Sequence, residues 1–175
     1  MRLLLIVACI LGLAAFAFLG VRIVQYSRLF PPPSAEVVHF TPEKRVHLQR
    51  LRAEIKFQPN DYPPVGYTGA ETPQDQARAT AAVNTVIEAV LAQSDGPIRA
   101  SSVSTLFGKA MREVETLATE DRDRTQGYML EIWYILGFKG ATGRFAYGSA
   151  YRNPDGYGEP LPPGWLTPDK PRHID

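Results

Sequence analysis

The start of the chain is apolar over a length that water-soluble domains rarely use. Leu3–Val21 contains 19 residues without a charge and lies between Arg2 and Arg22. As a helix rising about 1.5 Å per residue, this run is roughly 30 Å long, which is enough to cross the hydrocarbon core of a bilayer. The sequence therefore predicts a membrane helix or signal-anchor at residues 1–22 rather than a buried core helix.

Two alternatives to an uncleaved membrane helix are open for this segment. Ala15-Phe16-Ala17 has the small-x-small pattern of a signal peptidase site, so cleavage after Ala17 is an alternative to an uncleaved anchor. Cys9 follows only a short apolar stretch, which makes a lipoprotein anchor the weaker alternative. Positive charge is nearly balanced across the segment, but its signal-like layout favours export of the C-terminal part. We expect a single-pass protein of a bacterial inner membrane, with its C-terminal domain in the periplasm.

After the membrane segment, the pattern predicts a linker at residues 23–40, where Pro31–Pro33 stop any helix. Four helices are predicted next, within a bundle domain at 41–140. Their apolar residues recur at helical spacing. They are Leu48, Leu51 and Ile55 in the first, Val83, Val86, Ile87, Val90 and Leu91 in the second, Val103, Leu106, Phe107, Ala110, Val114 and Leu117 in the third, and Tyr128, Met129, Ile132, Ile135 and Leu136 in the fourth.

Residues that favour helix ends set the expected boundaries. Thr41 and Thr72 each precede a proline and suit the N-cap position, and Asp75 suits a capping box with Thr72. Thr119 is the expected cap of the last helix, and Gly137 suits the residue after it. The predicted fold class is all-α: an N-terminal membrane helix, a compact bundle of about four helices, and an extended Pro/Gly/aromatic tail at 141–175.

Composition excludes several classes of protein. The formal net charge is +1, which argues against general nucleic-acid binding because that needs a basic face. A single cysteine, Cys9, allows no intrachain disulfide. His39, His47 and His173 lack the spacing of a zinc site, and no nucleophile or phosphate-loop motif is present. We therefore predict no catalytic residue, no metal and no cofactor.

Polar residues in the helices have competing interpretations. "EDRDR", Glu120–Arg124, indicates a solvated helix start with a Glu120–Arg124 pair, against an acid/base pair or anion clamp. Tyr128 and Glu131 share a helix face and fit the edge of the core better than a cleft. Asn84 lies beside an apolar stripe and is expected to be a buried, hydrogen-bonded group rather than a ligand.

The first predicted helix is basic. It carries five basic residues against Glu43 and Glu54, and it follows the linker directly. Two roles stay open: a solvated face, or a contact with anionic lipid headgroups. The basic residues are Lys44, Arg45, Arg50, Arg52 and Lys56.

The tail, "FAYGSAYRNPDGYGEPLPPGW", has a different character. From Phe145 to Tyr151 its aromatic and small residues alternate, which is the period of an extended strand. Tyrosine, tryptophan and extended proline-rich backbone are typical of docking surfaces, so Tyr151, Tyr157 and Trp165 are the predicted partner-binding residues. The alternative is that the tail covers its own bundle.

Several segments resemble those of an uncharacterised family of small proteobacterial domains of unknown function. They are "EIKF", a Tyr-Pro loop, "VN" at Val83-Asn84, "EDRDR" and "EIWYILGF", and the resemblance spans roughly Leu48 to Tyr147. It implies a helical fold and brings no established activity.

These observations favour non-catalytic binding of a protein partner by a membrane-anchored periplasmic protein, similar in kind to immunity or inhibitor proteins. An accessory subunit of a membrane complex is the second possibility, and it predicts a helix-packing face at Gly12 and Gly20. An envelope enzyme using Asp121 or Glu131 as acid/base is the third.

Overall fold

The computed structural model describes residue 12 and residues 15–23, 34–59 and 67–139 of the 175-residue chain. Its elements are five helices and two strands in this described part. In chain order they are α1 (residues 15–23), β1 (Val37–Phe40), α2 (Pro42–Ala53), α3 (Pro73–Leu91), β2 (Gly96–Arg99), α4 (Ala100–Glu113) and α5 (Thr119–Leu136).

A small β-sheet corrects the predicted all-α class. β1 and β2 pair in antiparallel register, with Val37 opposite Arg99 and Phe40 opposite Gly96. The strand β1 lies in what we predicted to be a linker, and its Phe40 is fully buried. The strands read VVHF and GPIR, and neither shows the strict alternation of apolar and polar residues that indicates a strand in a sequence.

The N-terminal membrane helix of the predicted fold class is not found in the described part. Among the described residues, no helix is both long and apolar enough to cross a membrane. Much of Leu3–Val21 lies outside the described residues, as do 24–33. The described helix α1 has its large apolar side chains exposed, including Phe16 and Phe18.

Most of the predicted helix ends are confirmed. Thr41 and Thr72 are N-caps, and their hydroxyl oxygens accept from the backbone N–H of Lys44 and Asp75. Gly137 ends α5 with φ of 84°, in the left-handed region that glycine adopts easily. The prediction for α5 is wrong at its start, because Ala118 is the N-cap and Thr119 lies inside the helix.

Helix α5 lies at the centre of the core. Twelve of its 18 residues are buried, whereas α2 and α3 bury one face only. Trp133 of α5 packs against Phe107 of α4 and Phe138, with ring centroids 6.0 and 4.3 Å apart. A helix that is buried nearly all round must be enclosed by the others, so the rest of the domain packs around α5.

The prediction for Ile55 is also wrong. Helix α2 ends at Ala53, and the Ile55 side chain is 78% exposed instead of facing the core. Lys56 and Phe57 turn inward in its place and are each 1% exposed. The backbone leaves the helix at Glu54, which is extended with φ of −65° and ψ of 146°, and Phe57 then has a positive φ of 61°.

Candidate functional site

A row of polar side chains on α5 is enclosed in the protein. Asp121, Arg124, Tyr128 and Glu131 follow one another at spacings of three or four residues, so they share one side of the helix. None of the four is more than 2% exposed. We call this set the α5 polar stripe. Buried charges are costly unless they are paired, so a stripe of this kind needs partners.

The N-terminal end of the stripe is joined to the segment before α3. The Tyr67 hydroxyl donates a hydrogen bond to Asp121 Oδ1, and both side chains are buried. Thr125 is fully buried as well, and its hydroxyl donates to the Asp121 backbone carbonyl at 2.7 Å. Asp121 Oδ2 is inaccessible to solvent and accepts no hydrogen bond from the residues that the structure describes.

The middle of the stripe is a stacked pair. The Arg124 guanidinium lies 3.6 Å from the centre of the Tyr128 ring, in cation–π geometry. Phe57 also contacts Tyr128, with ring centroids 5.3 Å apart, and its ring centroid lies 6.4 Å from that of Tyr67. The guanidinium is thus buried against an aromatic face, where a low local dielectric strengthens its electrostatic interactions.

Phe57 occupies a strained backbone position beside this stripe. It has a positive φ, which is uncommon for a bulky residue, and it is nonetheless buried. Its carbonyl accepts from the Ala70 N–H at 3.3 Å, and the neighbouring Lys56 carbonyl accepts from Gln76 Nε2 at 2.8 Å. These contacts fix the turn after α2 against the segment that leads into α3, and strain of this kind is often found at functional sites.

The chemistry available to the stripe is limited by its enclosure. Asp121 and Glu131 are each 1% exposed, so neither carboxyl reaches solvent in this state. An acid/base residue must come within hydrogen-bond reach of a substrate. The described arrangement therefore favours a structural role for these groups.

Basic residues of α2 stabilise the ends of two other helices. Lys44 Nζ donates to the Leu136 carbonyl at 2.6 Å, at the end of α5, and to the His39 carbonyl at 2.8 Å. Arg45 donates to the Leu91 and Gln93 carbonyls at 2.6 and 2.9 Å, at the end of α3. Neither α3 nor α5 has a basic residue in its own last turn, so α2 supplies the positive charge that a helix C-terminus favours.

Two further basic residues of this region also have partners within the domain. Arg52 forms an ion pair with Glu88 of α3 at 2.6 Å. Lys56 Nζ donates to the Arg52 and Glu54 carbonyls, each at 3.1 Å.

Burial lowers the pKa of Lys44, and the charge of Glu43 acts on that pKa in the opposite direction. The basic character of this region therefore serves packing, and the lipid-headgroup contact that we considered for it stays untested.

The outer face of α3 has the opposite character to the stripe. Its exposed residues include Ala77, Ala81 and Thr85, which follow one another at intervals of four. A groove of about 370 Å³ lies on the α4 side of this face, lined in part by Val86, Leu106 and Lys109. A second groove of about 490 Å³ lies on the α2 side, and Ala81 borders both grooves. This face is open, and the residues along its centre, Ala77, Ala81 and Thr85, are small and uncharged.

The predicted partner-binding residues Tyr151, Tyr157 and Trp165 lie outside the described residues, so their role stays a prediction. Asn84 is half-buried rather than buried, and it lines the groove on the α2 side. Its Oδ1 is inaccessible to solvent and has no hydrogen-bond partner in the described part of the chain. The expected hydrogen bond that would fix helix register is therefore absent among the described residues.

Sequence reasoning misplaced the charges of "EDRDR". Glu120 is exposed, as expected for a helix start, but Asp121 and Arg124 are buried, so the predicted solvated Glu120–Arg124 pair is wrong. The sequence also gave no indication that Tyr67 contacts Asp121. One pattern could have revealed the burial, because "EIWYILGF" is apolar on every side of the helix and thus indicates a central helix.

Three of the segments that carry the family resemblance lie at or beside the α5 polar stripe. "EIKF" supplies Lys56 and Phe57, "EDRDR" supplies Asp121 and Arg124, and "EIWYILGF" begins at Glu131. No curated protein and no solved structure matches the chain. The model of a family described as a domain of unknown function, DUF4844, matches residues 39–150. The prediction of an uncharacterised family is thereby confirmed, and the chain belongs to the DUF4844 family.

Proposed function

We propose that the protein binds a protein partner without catalysis, in the manner of an immunity or inhibitor protein. The observation that carries this proposal is the contrast between the enclosed carboxyls of α5 and the open face of α3. The groups best suited to acid/base chemistry, Asp121 and Glu131, are withdrawn from solvent. The accessible concave surface has the small, uncharged side chains of Ala77, Ala81 and Thr85 along α3, and charged residues such as Arg78 and Lys109 also line its grooves.

The same proposal includes a location at the bacterial inner membrane, with the domain on the periplasmic side. Support comes from the apolar composition of Leu3–Val21 and from the exposure of the apolar side chains in α1. Contiguous exposed apolar surface is a feature of membrane or protein contacts. Tyr151, Tyr157 and Trp165 of the tail would add contact area for the partner.

The test is cross-linking and purification of the full-length chain from native membranes. It is run beside an Ala81→Arg variant, which places a large charged side chain between the two grooves, and beside a Ser102→Arg control on an exposed turn of α4. We expect a stoichiometric partner with the wild type and the control, and its loss with Ala81→Arg. A chain truncated after Gly143 tests the tail in the same way. Failure of every form to retain a partner would contradict the proposal.

One observation favours a second candidate, an accessory subunit of a membrane complex. A Cβ atom placed on Gly12 or Gly20 would meet no atom within 4 Å, so the small-residue positions of this N-terminal region are uncovered. Small residues of this kind let helices approach closely in membranes. Retention of the partner by Ala81→Arg and its loss with Gly20→Leu would favour this candidate.

A further inference from the structure

The strand β1 has one edge that no strand covers in the described part of the chain. The Ala100 N–H donates to the Glu36 carbonyl at 3.0 Å, so the backbone groups of Glu36 are directed to β2 and the helix after it. Because this direction alternates along a strand, Val37 and His39 direct their backbone groups away from β2. The His39 carbonyl accepts from Lys44 Nζ on that side. We call this side of β1 the open edge.

The outer edge of β2 is less suited to a further strand. Pro97 lies opposite His39 in the ladder, at a position whose backbone is directed outward. Proline has no N–H to donate, and it is a residue that protects sheet edges. Helix α4 follows β2 directly, which leaves little of that edge. A third strand would therefore pair with β1.

The end of the described chain lies beside the open edge. Lys44 Nζ donates to the carbonyls of His39 and Leu136, at 2.8 and 2.6 Å. Further along, the Lys139 N–H donates to the two Glu36 carboxylate oxygens at 3.2 and 3.1 Å. The chain after α5 thus passes from the end of β1 towards its start. A segment that turns after Lys139 and returns along the open edge runs parallel to β1.

The sequence after Lys139 fits such a return. Residues 140–144, GATGR, contain two glycines and suit a turn. From Phe145 to Tyr151, aromatic or polar residues alternate with alanine and glycine, which is the period of a strand. The family model extends through residue 150, so the domain that the family shares includes most of this segment.

We propose that residues 145–151 of the tail add to the open edge as a third strand, parallel to β1, with Phe145 beside Val37. The proposal concerns this chain alone and goes beyond the proposed function. The connection is long enough, because six residues from Lys139 to Phe145 reach up to about 20 Å and β1 is about 13 Å long.

The two faces of the proposed strand match the two faces of the sheet. Phe145 and Tyr147 would lie on the solvent side beside Val37, whose side chain is 50% exposed. Aromatic and β-branched neighbours of this kind stabilise a sheet. The small residues Ala146 and Gly148 would face the helices, where the core side of β1 is already packed. The aromatic side chains of the tail would then share one accessible face.

The test is amide hydrogen exchange of the purified full-length chain in detergent micelles, followed by NMR at β1. Val38 is the internal control, because its backbone pairs with β2 whether or not the tail is present. We expect Val37 and His39 to exchange as slowly as Val38 in the full chain. Truncation after Gly143 should accelerate exchange at Val37 and His39 by about tenfold or more, and leave Val38 little changed. Truncation after Asn153 keeps the strand and should preserve the protection.

Disulfide formation tests the direction of the strand in the full-length chain. In a Cys9→Ser background, Val37→Cys with Phe145→Cys should form an intrachain disulfide, because opposite residues have Cα atoms within about 6 Å. Val37→Cys with Tyr151→Cys is the matched control. In a parallel strand, Tyr151 lies about 20 Å beyond Phe145 and should not react.

Three results would overturn the proposal. They are fast exchange at Val37 and His39 in the full chain, protection that survives truncation after Gly143, and a disulfide that forms only with Tyr151→Cys. The exchange measurement on the wild type decides the question even if a cysteine variant does not fold. Retention of a partner in native membranes is a separate measurement, so failure of the proposed function leaves this proposal standing.

Discussion

Helices α3 and α5 are nearly equal in length, 19 and 18 residues, but they use their polar residues in opposite ways. Helix α3 has apolar residues on one side and exposes Arg78, Ala81 and Thr85 on the other. Helix α5 buries Asp121, Arg124 and Glu131 beside its apolar residues. The difference teaches that a charged residue in a helix marks the solvent side only when the helix lies at the edge of the domain.

The position of each helix in the fold explains the contrast. Helix α5 is enclosed by its neighbours from Tyr128 to Leu136, where every residue is buried, and only its first turns keep a side that faces water. Its charged groups therefore depend on Tyr67, Tyr128 and the other contacts of the α5 polar stripe. Helix α3 exposes one side to solvent. The side chains on that side are accessible to other molecules and contribute little to the core.

The largest effect is expected for Arg124→Ala in α5. Removal of a buried, stacked guanidinium leaves a cavity and withdraws a positive charge from the neighbourhood of buried carboxyls. We expect a loss of about 3–5 kcal/mol in the free energy of unfolding, measured by urea denaturation of the full chain. Arg122→Ala on the half-exposed side of the same helix is the control and should cost less than about 1 kcal/mol. Equal losses would contradict the contrast between the two sides.

Tyr67→Phe tests the link between the stripe and the segment before α3. It removes the hydroxyl that donates to Asp121 and leaves a buried acceptor without that donor. The expected loss is about 1–3 kcal/mol. A double-mutant cycle with Asp121→Asn should give a clear coupling energy, because the two side chains are in contact. Additive effects of the two substitutions would show that the hydrogen bond contributes little.

Thr72→Ala tests how much the N-cap of α3 contributes to stability. It removes the N-cap hydroxyl that accepts from Asp75 N–H at 3.1 Å, so a loss of about 1 kcal/mol is expected. Thr119→Ala is the matched control, because the Thr119 hydroxyl accepts from the Arg122 side chain at an exposed position and does not cap the helix. Thermal melting should therefore place Thr119→Ala closer to the wild type. The reverse order would mean that the caps are assigned wrongly.

Glu88→Ala should have a small effect, although it breaks the ion pair of 2.6 Å with Arg52. Both side chains are about half exposed, at 53% and 51%, and water screens such pairs. We expect a change of about 0.5 kcal/mol or less in urea denaturation, reduced further by salt. If Glu88→Ala lowered the free energy of unfolding as much as Arg124→Ala does, the expected difference between surface contacts of α3 and buried contacts of α5 would be contradicted.

The smallest effect concerns Lys44 and depends on pH. Burial lowers its pKa from 10.5 in the folded state, so between the lowered pKa and 10.5 the unfolded chain binds more protons than the folded one. Stability attributable to Lys44 must then rise with pH across that window. The melting temperature of the wild type relative to Lys44→Met should increase as pH approaches 10.5. A constant difference would show that Lys44 is as well solvated in the folded state as in the unfolded one.

Local patterns predicted the elements whose stability depends on neighbours in sequence. Thr41, Thr72 and Gly137 act at the helix ends as expected, because a cap needs only the residues of the adjacent turn. The apolar stripe of α3 is buried as predicted at Val83, Val86, Ile87 and Val90. The prediction was wrong where a short element depends on a distant part of the chain, as β1 depends on β2 for its hydrogen bonds.

The sequence by itself determined most of the helical content, the caps at Thr41, Thr72 and Gly137, and the apolar character of the N-terminal run. Only the tertiary structure decided the position of α5 at the centre, the burial of Asp121 and Arg124, and the two grooves beside α3. The physical reason is the separation of the groups involved. Tyr67 and Asp121 are 54 positions apart, and Lys44 and Leu136 are 92 apart, so their hydrogen bonds exist only after the chain has packed. Periodicity within one helix carries no information on which other segment will cover it.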